Sequence, residues 1–218
     1  MIRVLLAEDE DLIRTGLRLV LDSSADITVV AEARNGSEAL EGVREHRPDV
    51  VVMDIQMPGM DGLTATRHLT ALPDAPAVLL LTTFDRDAHI HAAVQAGASG
   101  FLLKDAHHTE LLAAVRAVHQ GDAMLSPSVA RRVMQLANTA IPATREAATA
   151  RLAQLSEAER EVLALVGSGL SNSAIADRLG LNEPTVKRRV SRLLAALDCE
   201  NRVQLAIAAI DAGIAPRA

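Results

Sequence analysis

The residues of this chain that are equipped for phosphate or metal chemistry stand at the ends of short apolar runs. Val50-Val51-Val52-Met53 stops at Asp54. Ile2 to Ala7 runs into Glu8-Asp9-Glu10-Asp11, Ala77 to Leu81 into Thr82-Thr83, and Gly100 to Leu103 into Lys104. Carboxylates brought close together repel one another unless a cation sits among them. Hard oxygen ligands in small number suit Mg2+, which keeps several waters and accepts one or two carboxylates together with a phosphate. Thr82 offers a hydroxyl donor and Lys104 an ammonium, both suited to phosphoryl oxygens. Singly, such residues are ordinary N-caps or solvated surface charges. Their recurrence at successive strand ends is what argues for a site.

The elements that must position them follow from the spacing. Apolar runs at Ile2 to Ala7, Ile27 to Ala31, Asp49 to Met53, Ala77 to Leu81 and Gly100 to Leu103 start 25, 22, 28 and 23 residues apart, the pitch of a strand-plus-helix unit. Between them lie helical patterns, such as Leu12, Leu17, Leu19, Val20 and Leu21, and later Leu111, Leu112, Val115 and Val118. This alternation predicts a doubly wound α/β fold, a parallel sheet covered by helices on both faces. Ligands bind such sheets beyond the carboxyl ends of the strands, at a topological switch point. With five strands in the order 2-1-3-4-5, strands 1 and 3 are neighbours there, and Glu8 and Asp9 face Asp54. Pro58-Gly59 and Asp61-Gly62 impose loop and turn geometry after Asp54.

Composition bounds the class of protein. Of 218 residues 49% are apolar, but the only aromatic residues are Phe84 and Phe101, so the core is aliphatic. The lone Cys199 forms no intramolecular disulfide or metal cluster, which fits a reducing compartment. The first residues carry no signal-peptide pattern and no apolar stretch approaches the roughly 20 residues needed to cross a bilayer; a cytoplasmic protein is expected. Net charge is −6, unevenly spread: residues 1–120 hold 10 basic and 18 acidic side chains, whereas residues 151–218 hold 9 and 8. That asymmetry predicts two domains with different partners.

Leu5-Leu6-Ala7-Glu8-Asp9-Glu10, Met53-Asp54 with Met57-Pro58-Gly59-Met60-Asp61-Gly62, Thr82, and Gly100-Phe101-Leu102-Leu103-Lys104 resemble the receiver domain of two-component response regulators, a flavodoxin-like fold. The resemblance implies that Asp54 is the phospho-acceptor, and that Glu8, Asp9 and Asp54 surround Mg2+ with the backbone carbonyl of Gln56. It also implies that Thr82 and Phe101 form the switch pair and that Lys104 is the family's lysine. Two positions depart from the pattern. Glu8 stands where aspartate is commoner, and Asp105 follows Lys104 where many receivers have proline.

Residues 1–120 are thus the expected receiver. Residues 121–150 read as a linker with one helix, opened by Ser126-Pro127 and carrying Val129, Val133 and Leu136. Residues 139–150 read either as a flexible or weakly helical tether or, from Thr144 to Gln154, as a helix. Residues 151–218 carry four helical segments. Ser156 with Glu159 spells a capping box, Ser171 opens the second segment, Asn182 and Pro184 open the third, and the fourth covers Val203 to Ala212. Only Gly180 and Leu181 separate the second from the third, the spacing of a helix-turn-helix.

The third segment is the informative one. Val186, Val190, Leu193, Leu194 and Leu197 form one apolar stripe. Thr185, Arg188, Ser191 and Arg192 lie opposite, flanked by Lys187 and Arg189, and residues 183–197 hold four basic side chains against one acidic. Basic and small hydroxyl side chains on such a helix suit phosphates and base edges in a major groove; a solvated basic face on an ordinary bundle is the plainer reading. Leu155-Ser156, Arg160-Glu161-Val162-Leu163, Gly169-Leu170-Ser171-Asn172, Ile175-Ala176 and Thr185-Val186-Lys187 resemble the LuxR-type helix-turn-helix. Joined to a receiver, this is similar to the NarL/FixJ subfamily. The resemblance implies base contacts from Lys187 and Arg188 and a phosphate contact from Thr185. Arg189 replaces the family's histidine, and Ser191 stands where some members have lysine. Arg178 and Arg202 mark an alternative DNA surface.

The expectation is a phosphorylation-controlled, DNA-binding transcription regulator rather than an enzyme. It takes a phosphoryl group from a sensor histidine kinase onto Asp54 with Mg2+, becomes a homodimer, and binds double-stranded DNA at an inverted repeat. A phosphatase of the haloacid-dehalogenase type wants an acid/base carboxylate two residues after the nucleophile, and Gln56 cannot serve. A phosphorylation-independent dimerisation module is the other rival; such domains often lose an acidic residue or the lysine, and here all are present.

Overall fold

A computed structural model describes residues 1–82, 92–125, 151–152 and 154–214. The expected helix from Ser126, the segment 139–150, Thr83 and Phe84 lie outside the described residues. Two compact units divide the chain: residues 1–120 with residues 124–130, and residues 121–123 with residues 131–218.

The first unit alternates strand and helix: β1 (Ile2–Ala7), α1 (Asp11–Asp22), β2 (Ile27–Ala33), α2 (Gly36–His46), β3 (Val50–Asp54), α3 (Gly62–Thr70), β4 (Ala77–Thr82), β5 (Gly100–Leu103), α4 (His108–His119) and β6 (Met124–Leu125). The strands are all parallel, in the order β2-β1-β3-β4-β5-β6. The five expected strands keep the order 2-1-3-4-5, and the short β6 adds a sixth at the β5 edge. Two residues leave no periodicity to read, so only the pairing of Gly100 with Met124 and Phe101 with Leu125 reveals it.

Residues in β3 are buried throughout, which is why its sequence is a continuous apolar run instead of an alternating one. Alternate strand residues build one core layer, with Val4, Leu6, Val50, Val52, Leu79, Leu81 and Leu102 packed against Leu21, Leu111, Val115 and Val118. The opposite face carries Leu5, whose side chain meets Gly42 on α2. Leu12 and Leu19, although part of the helical pattern of α1, are 86% and 69% exposed; Leu21 and Arg14 are the residues α1 buries.

Register does the positioning. Ala7 pairs with Met53 across β1 and β3, Asp54 with Leu81 across β3 and β4, and Thr82 with Leu103 across β4 and β5. Glu8, Asp54, Thr82 and Lys104 therefore arrive at one edge of the sheet. Asp54 is the last residue of β3 itself, one position further inside the strand than the apolar run suggests.

The second unit comprises α5 (Glu157–Gly167), α6 (Asn172–Leu179), α7 (Glu183–Leu197) and α8 (Arg202–Asp211). Its first three starts are those the sequence spells, while α8 begins at Arg202, one residue before the expected Val203, with Asn201 as its cap. Ser156 and Glu159 form a reciprocal capping box, Ser171 Oγ accepts from Ala174 N, and Asn182 Oδ1 accepts from Thr185 N at 2.9 Å. Gly180 ends α6 with φ of +64°, a left-handed conformation that glycine adopts without strain. Val162, Leu163, Ile175, Val186, Val190, Leu193, Leu197 and Leu205 make the core. No described helix is long and apolar enough to cross a membrane.

Candidate functional site: an acidic pocket and a basic helix

Glu8, Asp9 and Asp54 each present a carboxylate oxygen within 4.8 Å of the others. Glu8 and Asp54 are buried and Asp9 half-buried. Lys104 Nζ reaches across from the end of β5, 2.6 Å from Glu8 Oε2 and 3.1 Å from Asp54 Oδ2. The ammonium sits nearer Glu8 than Asp54. Beyond Lys104, Glu8 Oε2 has no other hydrogen-bond partner among the described residues; Glu8 Oε1 accepts from Glu10 N at 3.3 Å.

Burial sets the electrostatics. It pushes the Asp54 carboxyl above the ordinary aspartate range, against the Lys104 charge and backbone hydrogen bonds from Gln56 and Ile55 that pull it down. Glu8 is raised for the same reason, with Lys104 opposing and Asp54 adding to the rise. Burial alone would lower Lys104, yet the Glu8 hydrogen bond and the two facing carboxylates hold it above the usual lysine value. Two buried carboxylates thus share a single ammonium. That surplus of negative, hard oxygen donors fits a divalent cation such as Mg2+, held by Glu8, Asp9 and Asp54.

Thr82 ends β4 and is 4% exposed; Lys104 N donates to its carbonyl at 2.7 Å. Phe101 lies on the neighbouring β5, 2% exposed, so its ring already occupies an inward position. Gln56 is exposed and meets the site through its backbone amide, which donates to the Asp54 carboxylate.

Two contributors escaped sequence reasoning. Gly62 reads as a turn residue, but it is the first residue of α3, with Asp61 as its N-cap. A Cβ there would lie 2.0 Å from the Asp54 carbonyl oxygen, so glycine is demanded by close backbone approach. Arg14, on α1, is buried at 7% exposure, and its Nη1 donates to Glu8 O at 2.8 Å. A charged residue at an inward position of a helix was the available signal.

In the second unit, α7 turns Val186, Val190, Leu193 and Leu197 into the core and leaves Lys187, Arg188, Ser191 and Arg192 exposed. Thr185 and Arg189 are half-buried. Ser191 Oγ donates to Lys187 O at 3.0 Å. Ser156 holds the Glu159 carboxyl below its ordinary range, helped by the charges of Arg192 and Arg189, which therefore lie toward the start of α5. Arg202 does not form part of an exposed basic surface. It is buried, donating to Asn172 Oδ1 at 2.7 Å and to the Leu170 carbonyl.

A buried acidic pocket with a facing lysine on a 2-1-3-4-5 sheet, in one chain with a helix-turn-helix whose second helix is basic, defines a two-domain response regulator. Residues 4–116 match the response regulator receiver domain, and residues 153–209 match the luxR family of bacterial regulatory proteins. The chain belongs to the receiver-plus-LuxR family of response regulators, transcriptional regulators of two-component systems. It is 38% identical to the transcriptional regulatory protein LnrK of Bacillus subtilis, covering 98% of this chain and 99% of that one. The DNA-binding transcriptional activator DevR/DosR of Mycobacterium tuberculosis is also 38% identical, over 97% and 95%. Among solved structures, the response regulator ChrA of a heme-sensing two-component system is 42% identical over 98% of each chain, with a TM-score of 0.54.

Proposed function

We propose that Asp54 is phosphorylated by a sensor histidine kinase and that phosphorylation drives homodimerisation and promoter binding. The observation that carries this reading is the Asp54 carboxylate at the end of β3, 3.1 Å from Lys104 Nζ and grouped with Glu8 and Asp9. An Asp54 oxygen attacks the phosphorus of a phosphohistidine; the new P–O bond forms as the P–N bond breaks and the imidazole leaves. When bound, Mg2+ neutralises charge on the transferring phosphoryl group. Lys104 would share that work, released from one of its two carboxylates. The Thr82 hydroxyl then donates to a phosphoryl oxygen, and the Phe101 ring, already buried on β5, is the other half of the proposed switch pair. A two-state receiver surface biased in this way favours the dimer.

Two output domains on a two-fold axis read both halves of an inverted repeat, and receiver association raises the effective concentration of the second domain. Lys187 and Arg188 are the proposed base-reading residues and Thr185 the proposed phosphate contact, with Arg189, Ser191 and Arg192 completing the DNA-binding helix. Phosphoramidate with Mg2+ should add one phosphoryl group by intact mass, absent in Asp54→Ala; label retained in the mutant overturns the assignment. Lys187→Ala and Arg188→Ala should each weaken specific binding by roughly 1–3 kcal/mol and relax base preference, measured on specific and scrambled duplexes at several salt concentrations. Unchanged affinity in both places the DNA surface elsewhere.

A further inference from the structure

We infer that Arg14 is a positioning residue for the metal ligands, gripping the acidic loop by its backbone from behind. The inference rests on the proposed Mg2+ site. Loop residues Glu8 to Glu10 must hold two carboxylates toward Asp54 against mutual repulsion, and helix α1 begins directly after them. That helix has no side-chain cap: its N-cap residue, Glu10, makes no capping hydrogen bond. The guanidinium of Arg14 supplies the missing constraint. Its Nη1 donates to the carbonyls of both metal-binding residues, Glu8 O at 2.8 Å and Asp9 O at 3.5 Å. Its Nη2 pairs with Asp11 Oδ1, and its Nε donates to Glu32 Oε2 on β2 at 3.1 Å. The side chain is 8% exposed.

The planar fork ties three points together: the loop backbone, the first residue of α1 and the neighbouring strand. Glu32 is held in turn by Arg18, whose Nε also donates to Asp22 at 3.3 Å. Lysine cannot reproduce this, because a point ammonium lacks the divergent donors that reach a strand and a loop at once. Arg14 holds the carbonyls of Glu8 and Asp9 while their carboxylates gather with that of Asp54, so the ligands are positioned before a cation arrives.

Charge and geometry make opposite predictions here. Removing a positive charge near an acidic pocket would, by Coulomb attraction alone, tighten binding of a dication. Losing the constraint should weaken it, and outer supports of metal ligands typically change affinity by about 10–100-fold. Mn2+ binding to the full-length protein, followed by electron paramagnetic resonance, reads the difference directly. Arg14→Lys, which keeps the charge, and Arg14→Met, which does not, should both weaken Mn2+ by at least about tenfold. Glu32→Gln should weaken it less. In parallel, the Mg2+ concentration giving half-maximal phosphorylation by phosphoramidate should rise while the rate at saturating Mg2+ stays within about twofold. Far-UV circular dichroism confirms folding, and Arg14→Lys carries the test if Arg14→Met does not fold. Wild-type Mn2+ affinity in folded Arg14→Lys, or tighter binding in Arg14→Met, overturns the inference alone. Absence of Mn2+ binding in the wild type overturns the metal site and the inference together.

Discussion

Replacing Lys104 by methionine isolates the electrostatics of the pocket. The Lys104 side chain is 9% exposed and faces side chains that are 1% exposed at Glu8 and 7% at Asp54. Methionine keeps the apolar stem and removes the charge, leaving two buried carboxylates with no cation between them. Breaking a buried ion pair by removing one partner costs about 3–5 kcal/mol. The lower end applies here, because carboxylates already raised by burial take up protons to relieve the repulsion. A loss of about 3 kcal/mol corresponds to a fall of roughly 10 °C in Tm for a domain of this size.

The pH dependence has a definite sign. Burial raises both carboxyls above their unfolded values. Their contribution is therefore intact below the unfolded carboxylate range and is lost as pH rises through the folded values. Without Lys104 that loss deepens, so the gap between variant and wild type should be widest near pH 7.5 and close toward pH 5. Saturating Mg2+ should narrow it at neutral pH by mass action. The chain has no tryptophan or tyrosine, so calorimetry in EDTA is the assay, the receiver transition being the one that Mg2+ shifts. A variant as stable as wild type at pH 7.5, or a gap independent of both pH and Mg2+, refutes the reasoning.

Gly62→Ala should destabilise the receiver by about 1–3 kcal/mol or more, because its methyl meets the Asp54 carbonyl; phosphorylation at saturating Mg2+ should fall with it, and an unchanged rate would show that the close approach is not needed. Ser156→Ala should cost the helix-turn-helix unit about 1 kcal/mol through the lost cap. Since Ser156 lowers the Glu159 carboxyl, that contribution is present above the unfolded glutamate value and fades as pH falls through the folded one. The acid limb of the unit's stability curve should therefore flatten in Ser156→Ala, measurable by calorimetry between about pH 5 and 3.

Local periodicity and capping made much of this protein legible in its sequence. Val50 to Met53 reads as a doubly buried strand because every residue of it is apolar, and β3 buries them all. Ser156, Ser171 and Asn182 mark helix starts because their side chains satisfy amide groups a few residues away. The stripe from Val186 to Leu197 fixes which face of α7 turns into the core. These are short-range effects, carried by the residues themselves.

What the tertiary structure decided depends on partners far apart in the chain. Pairing Ala7 with Met53 sets Glu8 beside Asp54, and nothing local specifies that register. Whether Lys104 would favour Glu8 or Asp54 depended on how three strand ends meet across the pocket, and its Nζ lies nearer Glu8. Arg202 looked like surface charge until Asn172 and the Leu170 carbonyl took up its donors. Gly62 was legible as a turn but not as the space for the Asp54 carbonyl. Arg14 was one more arginine in an amphipathic helix, and only folding brings the Glu8 carbonyl and Glu32 to its guanidinium. Periodicity reports which face a residue takes; contact across the fold decides what that face meets, because packing and charge act between elements the sequence holds apart.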